Sequence, residues 1–376
     1  MKLVVFGLTI SSSWGNGHAT LWRGLVRALI RRGHRVVFFE KDVPYYAGAR
    51  DLWEIPGGEL VLYPDWESVL PYARSHLADA DVAMVTSYCA DGVAAATLAF
   101  DSPAQLRAFY DMDTPVTLDG LKQGRAVPYL PNDGLAGFDL VLSFTGGEAL
   151  QQLRTRLGAR RTAPLYGHAD PDVHRPVPPL DGPHGDLSYL GTYAEDRQAA
   201  LETLFIEPAR RMPDRRFLLA GAQYPHEFPW TRNVFFHRHL PPADHPAFFR
   251  SAALTLNVTR RAMAEMGFCP SGRLFEAAAC GVPILTDTWD GLGAFFTPGD
   301  EILTARTTDD AVAAISLPRE ELARIARRAR ERTLAEHTSE RRAAELEALL
   351  DAALRDDPWD ADALPHSRTS ALSTEA

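Results

Sequence analysis

PSGRLFEAAACGVPILTD, residues 270–287, reads as a short helix that runs directly into a buried strand. Ser271 stands where a helix N-cap belongs, and the alanines at 277–279 leave room for close packing on a neighbour. Gly281 ends the helix, because glycine takes the left-handed conformation of that position without strain. VPILTD (282–287) then has the unbroken apolar character of a strand covered on both faces. The first turn of such a helix offers free N–H groups and the positive end of the helix dipole, which together make an anion site. Arg273, with Arg260 or Arg261 from the preceding loop, supplies cationic charge there. Glu276 lies about one and a half turns further in, where a carboxylate facing a cleft can accept bonds from the two hydroxyls of a ribose.

The same strand-then-helix unit recurs on both sides of this stretch. LVVFGL (3–8), HRVVFFE (34–40), ELVLY (59–63), DVAMVTS (81–87), RAFYDM (107–112) and FDLVLSF (138–144) are apolar runs. Helical patterns such as HATLWRGLVRALIRRG (18–33), GVAAATLAF (92–100) and GEALQQLRTRLG (147–158) lie between them. Residues 168–185, dense in proline and glycine, break the rhythm and read as a linker. Alternation resumes with LSYLG (187–191), a helix near 195–211, RRFLLAG (215–221), NVFFHRHL (233–240), a short helix near 243–251 and ALTLNVT (253–259). Two closing helices are expected over 318–335 and 337–355.

The pattern predicts an α/β chain with two Rossmann-like doubly wound domains facing an interdomain cleft. The expected divisions are 1–175, 186–336, a closing helix 337–355 and a disordered tail 356–376. Ligands of such sheets bind at the carboxyl ends of the strands, so the cleft between the two domains is the expected site.

Composition narrows the partners. The 376 residues are 46% hydrophobic and 23% charged, and 39 basic against 49 acidic residues leave a net charge of −10. A nucleic-acid partner would call for a basic face, so none is expected. Lysine occurs only at positions 2, 41 and 122, so beyond residue 122 any phosphate-binding cation must be arginine or a helix N-terminus. Cys89, Cys269 and Cys280 lack metal-ligand spacing and suit a reducing compartment. No apolar run reaches the roughly 18 residues of a membrane span, and MKLVVFGLTI reads as a first strand, so a cytoplasmic location is expected. Helix 18–33 carries Arg23, Arg27, Arg31 and Arg32, but its apolar residues are needed for the core, which argues against peripheral membrane contact.

SSSWGNGH (11–18) follows the first strand. Gly15 and Gly17 let the backbone turn and approach a ligand, with Asn16 between them, and His18 opens the next helix at the cleft. There it can move a proton or hydrogen-bond a substrate. FYDMDTP (109–115) contains Asp111 and Asp113, a D-x-D pair read as structural or substrate-side, not as a metal site.

PSGRLFEAAACGVPILTD followed by FFTPGDEIL (295–303) resembles the donor-nucleotide cassette of GT-B glycosyltransferases, most nearly the bacterial spore-maturation CgeB-like group, related to glycosyltransferase group 1. LYGHADPDVHRPV (165–177) resembles the interdomain segment of those enzymes, LSYLGTYAEDR (187–197) their first nucleotide-domain strand and loop, and SSSWGNGH their acceptor-side glycine loop. The resemblance implies that Ser271, Gly272 and Arg273 hold a diphosphate and Glu276 the ribose. It places Gly191, Thr192 and Arg197 near the phosphates or sugar, and His239 and Leu240 near the base. Retaining members often carry two glutamates separated by seven residues, whereas Phe268 stands eight before Glu276 here. The implied activity is a metal-independent transfer, hexosyl in class, from a nucleotide-diphosphate sugar to an acceptor hydroxyl on a small molecule or glycan. His18 and Arg273 are the expected catalytic residues, Asp113 is on the acceptor side, and no cofactor is needed beyond the donor. A nucleotide-sugar epimerase and a non-catalytic sugar-nucleotide-binding or assembly protein are the alternatives.

Overall fold

The computed structural model describes residues 1–357 and residue 359. Seven parallel strands form the first sheet: β1 (Lys2–Gly7), β2 (Arg35–Lys41), β3 (Glu59–Tyr63), β4 (Val82–Thr86), β5 (Leu106–Asp111), β6 (Leu140–Ser143) and β7 (Thr162–Pro164). Their spatial order is β3-β2-β1-β4-β5-β6-β7. Alternate residues of each central strand enter different cores. Leu3, Val5, Val36, Phe38 and Met84 pack on one face, and Val4, Phe6, Val37, Phe39 and Val85 on the other. Helices cover both faces, which is why these strands are apolar at every position. The strand order reverses between β1, which pairs with β2 on one side, and β4 on the other. The loops after β1 and β4 therefore diverge and open a crevice at the carboxyl edge.

Residues 165–184 lead to the second sheet, β8 (Gly185–Leu190), β9 (Phe217–Ala220), β10 (Val234–His237), β11 (Ala252–Asn257), β12 (Ile284–Thr286) and β13 (Leu303–Thr304), all parallel. The order β10-β9-β8-β11-β12-β13 repeats the first design, with the reversal between β8 and β11. A turn of π-helix, Glu202–Ile206, interrupts the helical region after β8. Pro208 follows two residues on and lacks the N–H that would bond residue 204, which accounts for the irregularity.

The two long helices at the end of the described chain divide between the two units. Arg319–Glu336 packs on the Gly272–Ala279 helix of the second unit. Ser339–Leu354 crosses back and packs on the first helix, Gly17–Arg31, so that Ala343, Leu346 and Leu350 join the core of the first sheet. The crossing runs beside the outgoing linker, with Ala169 bridged to Thr338. Gly24 makes this approach feasible. A Cβ there would sit 2.6 Å from Ser339 Oγ and 3.2 Å from His168 Nε2, so a residue that weakens a helix interior is required for packing. Arg342, fully buried, donates to the Gly167 carbonyl at 3.3 Å and to Glu345 at 2.8 Å, holding the two crossings together.

The expected disordered tail mostly lies outside the described residues. Its beginning is ordered: Asp356 pairs with Arg161, and Trp359 Nε1 donates to the Thr162 carbonyl at 3.0 Å.

Candidate active site between the two sheets

The loop after β1 is shaped by a residue that the sequence reading did not single out. Glu40, at the end of β2 and fully buried, accepts from Thr9 Oγ1 (2.7 Å), Ile10 N (2.8 Å), Ser11 N (2.9 Å) and Ser11 Oγ (2.5 Å). Four donors satisfy a carboxylate that could not otherwise be buried. The loop then turns at Gly15 with φ +60°, where a Cβ would approach Tyr45 Oη at 3.1 Å. Asn16 caps the first helix by accepting from His18 N at 3.0 Å, so the imidazole stands in the first turn.

His18 Nε2 lies 2.7 Å from Asp113 Oδ2, at the end of the loop that leaves β5. With a carboxylate on Nε2, that nitrogen carries the proton and Nδ1 keeps its lone pair; Nδ1 makes no hydrogen bond. Behind the pair, Asp111 is fully buried and accepts from Asp113 N at 3.0 Å. Burial pushes its carboxyl up to about 7. Among the described residues no group of three or more His, Cys, Asp or Glu is arranged to hold a metal ion.

Across the cleft, the loops after β8 and β11 bring in the cations. Arg197 Nη1 donates to the Thr192 carbonyl at 3.2 Å, while its buried Nε has no hydrogen bond. Arg260 Nε pairs with Asp196 at 2.9 Å. Arg261 turns the other way, 77% exposed beside Glu265, and does not face the cleft. Of the two arginines left open by the sequence, only Arg260 therefore reaches the site.

The Gly272–Ala279 helix begins at the same cleft. Ser271 occupies its N-cap position but makes no capping hydrogen bond, which corrects the expectation that its hydroxyl satisfies the first turn. Arg273 is half-buried at the cleft wall, and partial burial lowers its guanidinium below the usual arginine range. Its contacts are thin: Nη1 reaches Asn257 Oδ1 at 3.5 Å, and its guanidinium carbon lies 5.8 Å from the Tyr189 ring centre. It forms no salt bridge with any described residue. One turn on, burial raises the Glu276 carboxyl above its ordinary range, opposed by His245 and Arg273. Gly167 brings the linker against this helix start, since a Cβ there would lie 3.1 Å from Gly272 Cα.

These elements enclose a cavity of about 490 Å³. Gly15, Asn16, Gly17, His18 and Asp113 line one side, and Gly191, Thr192, Arg197, Arg260, Ser271, Gly272, Arg273 and Glu276 the other. His239 and Leu240 lie on its wall, the His239 ring 4.6 Å from that of Trp14 across the cleft. Every residue singled out in the sequence as a site residue lines this cavity except Arg261. Tyr46, Tyr88 and His245 also line it and carried no sequence signal. Tyr88 is held at φ +59° with its ring 6.2 Å from that of His18. Bond Gln223 Nε2 to Tyr45 Oη, 2.9 Å, joins the two units at the rim.

A family model described as glycosyl transferase-like matches residues 197–348. No curated protein sequence matches the chain significantly. Among solved structures, sucrose-phosphate synthase from Thermosynechococcus elongatus is similar at 15% identity and a TM-score of 0.68, over 95% of this chain and 100% of that one. HepE of Anabaena, in complex with UDP and glucose, is similar at 12% identity and a TM-score of 0.65, over 94% and 100%. An alpha-glucosyltransferase in complex with UDP-glucose and DNA containing an abasic site is similar at 11% identity and a TM-score of 0.64, over 93% and 99%. The chain has the GT-B fold. No described helix is long and apolar enough to cross a membrane.

Proposed function

We propose that this chain is a glycosyltransferase that moves a sugar from a nucleotide-diphosphate donor to an acceptor hydroxyl. The observation that carries the reading is Arg273 with Arg197: two cations without carboxylate partners among the described residues, at the open start of a helix, across one cavity from the His18–Asp113 pair. A diphosphate is the ligand that such a site neutralises, and Glu276 is placed to accept the ribose hydroxyls.

In the reaction the acceptor oxygen bonds to the anomeric carbon as the bond from that carbon to the phosphate oxygen breaks. The hydroxyl proton passes to His18, held in the Nε2–H tautomer by Asp113, and the bonding electrons leave with the nucleoside diphosphate. Charge grows on that leaving group, so Arg197, Arg273 and the N–H groups of Gly272 and Arg273 act most strongly in the transition state. Arginine and helix dipole supply the neutralisation that a divalent ion gives elsewhere, and we read the reaction as metal-independent. The acidic balance of the chain favours a small-molecule or glycan acceptor over nucleic acid. Membership of the CgeB-like group and a cytoplasmic location belong to the same proposal, resting on the cassette at 270–287 and the three cysteines without metal spacing.

Release of nucleoside diphosphate from a panel of UDP-, GDP- and TDP-sugars with mixed acceptors tests it, with and without EDTA. His18→Ala should lower turnover by about 10²-fold or more while calorimetric nucleotide affinity stays within about twofold. Tight nucleotide binding without turnover in the wild type would refute the enzyme reading. Loss in EDTA would refute metal independence.

A further inference from the structure

We propose that His174 is a positioning residue for Glu276: its Nε2–H donates to the carboxylate that takes the ribose hydroxyls, so the segment joining the two sheets takes part in nucleotide recognition. The inference rests on the ribose role given to Glu276 above.

Glu276 accepts no hydrogen bond from any described residue, although it is buried. His174 Nε2 lies 4.0 Å from its Oε1. That nitrogen belongs to a ring only 2% exposed and makes no hydrogen bond. An unpaired N–H and an unpaired carboxylate are both costly in the interior, and a small rotation of either side chain satisfies both. Polar contacts at such sites commonly tighten only when the ligand is bound.

The tautomer follows from the neighbours. Asp170 N donates to His174 Nδ1 at 3.3 Å, so Nδ1 is the acceptor and the proton sits on Nε2, toward Glu276. His245, whose ring also acts electrostatically on Glu276, is set in the opposite sense. Its Nε2 faces the Leu240 carbonyl at 3.2 Å and must carry the proton, which leaves Nδ1 bare. Burial lowers both rings to about 4, so both are neutral, and of the two only His174 has an N–H to offer.

HADPDVH, residues 168–174, is built to hold this ring. Asp170 Oδ1 accepts from Asp172 N at 3.0 Å, its carbonyl accepts from His174 N at 2.6 Å, and its Oδ2 pairs with Arg27 of the first helix at 2.7 Å. The chain of contacts from Arg27 through Asp170 and His174 to Glu276 begins on the helix whose first turn carries His18.

The experiment is calorimetry of UDP against 2′-deoxy-UDP, with GDP and its 2′-deoxy form in parallel. Wild type should prefer the ribonucleotide, and Glu276→Ala should abolish the preference. His174→Leu should cut it by about tenfold, with 2′-deoxy-UDP affinity changed by less than about twofold, while His174→Gln, whose amide N–H reaches the same point, restores most of it. If His174→Leu keeps the full preference that Glu276→Ala loses, the inference falls and the ribose assignment stands. If Glu276→Ala keeps the preference, the ribose assignment falls first and takes the inference with it, as would failure of either nucleotide pair to bind. Should His174→Leu not fold, ¹⁵N imidazole spectra of the wild type decide: an Nε2-protonated ring whose resonance moves on UDP binding is expected, and an Nδ1-protonated ring overturns the proposal.

Discussion

Replacing Arg273 by glutamine separates what the residue does for the fold from what it does for the reaction. The guanidinium is half-buried, and its visible compensation is one 3.5 Å contact to Asn257 and a Tyr189 ring face at 5.8 Å. A cation over a tyrosine contributes about 0.5–2 kcal/mol, and a neutral hydrogen bond about 1 kcal/mol. Half-burial of a charge without a carboxylate partner offsets these contacts, so they leave little net stabilisation in the free protein. Arg273→Gln should therefore melt close to the wild-type temperature. In the transition state the balance shifts, because the guanidinium meets charge on the departing phosphate. Loss of one preorganised donor to such charge costs about 3–4 kcal/mol, a fall of 10²–10³-fold in kcat. Nucleoside diphosphate affinity should weaken far less, by about tenfold, because Arg197 and the helix start remain. Differential scanning calorimetry, titration calorimetry and single-turnover nucleotide release measure the three quantities. A variant that melts several degrees lower, or whose kcat falls no more than its affinity, would show that Arg273 is a packing residue.

Asp111 gives a pH dependence with a definite sign. Its folded carboxyl titrates near 7 against an ordinary value of 3.8, so the folded state holds the proton more tightly and stability falls as pH rises across that window. Asp111→Asn should remove this dependence, and its melting temperature relative to wild type should climb between pH 4 and pH 8; a constant difference would contradict the assignment. Gly24→Ala should destabilise by about 1–2 kcal/mol in urea unfolding, although alanine is favoured over glycine by about 1 kcal/mol in a free helix, because the new Cβ meets Ser339. A stabilised variant would show that the last helix does not dock closely there.

The layered α/β architecture was legible because parallel strands buried on both faces are apolar throughout. Val4 and Val5, or Phe38 and Phe39, serve opposite cores and leave no polar gap. β7 was missed because Thr162–Pro164 is three residues at the sheet edge, too short to make a run. The helix at 337–355 was legible as a closing helix, but its sequence does not name its partner. That Leu346 and Leu350 enter the first core follows only from the chain crossing back beside Ala169.

The helix start that lines the cavity was legible because its signal is local: a serine, a glycine and an arginine at 271–273. On the other side His18 and Asp113 were both named, but their pairing was not legible. His18 and Asp113 are 95 residues apart and meet because the loops that follow β1 and β5 open at the same edge of the sheet. Arg260 and Arg261 could not be told apart, since adjacent residues at a helix start point to different sides. Glu40 left no mark because its work is to order backbone N–H groups, which no spacing rule encodes.

Strained backbone positions lie beside this cleft. Of the four described non-glycine residues with positive φ, Tyr88, Gln223 and Phe268 stand on loops beside the cavity, and Asp356 lies elsewhere. Tyr88 lines it, Gln223 reaches across to Tyr45, and Phe268 precedes the lining residue Cys269. Among the buried polar atoms without hydrogen bonds, His18 Nδ1, Arg197 Nε and His245 Nδ1 belong to residues that line the cavity. Each such feature costs about 1–3 kcal/mol, and the sheets beneath have every strand paired and both faces covered. Placing strained residues on loops at the carboxyl edges of the strands is what a rigid pair of sheets allows, because the sheets absorb the strain while the loops hold cations and an imidazole toward the proposed diphosphate and hydroxyl.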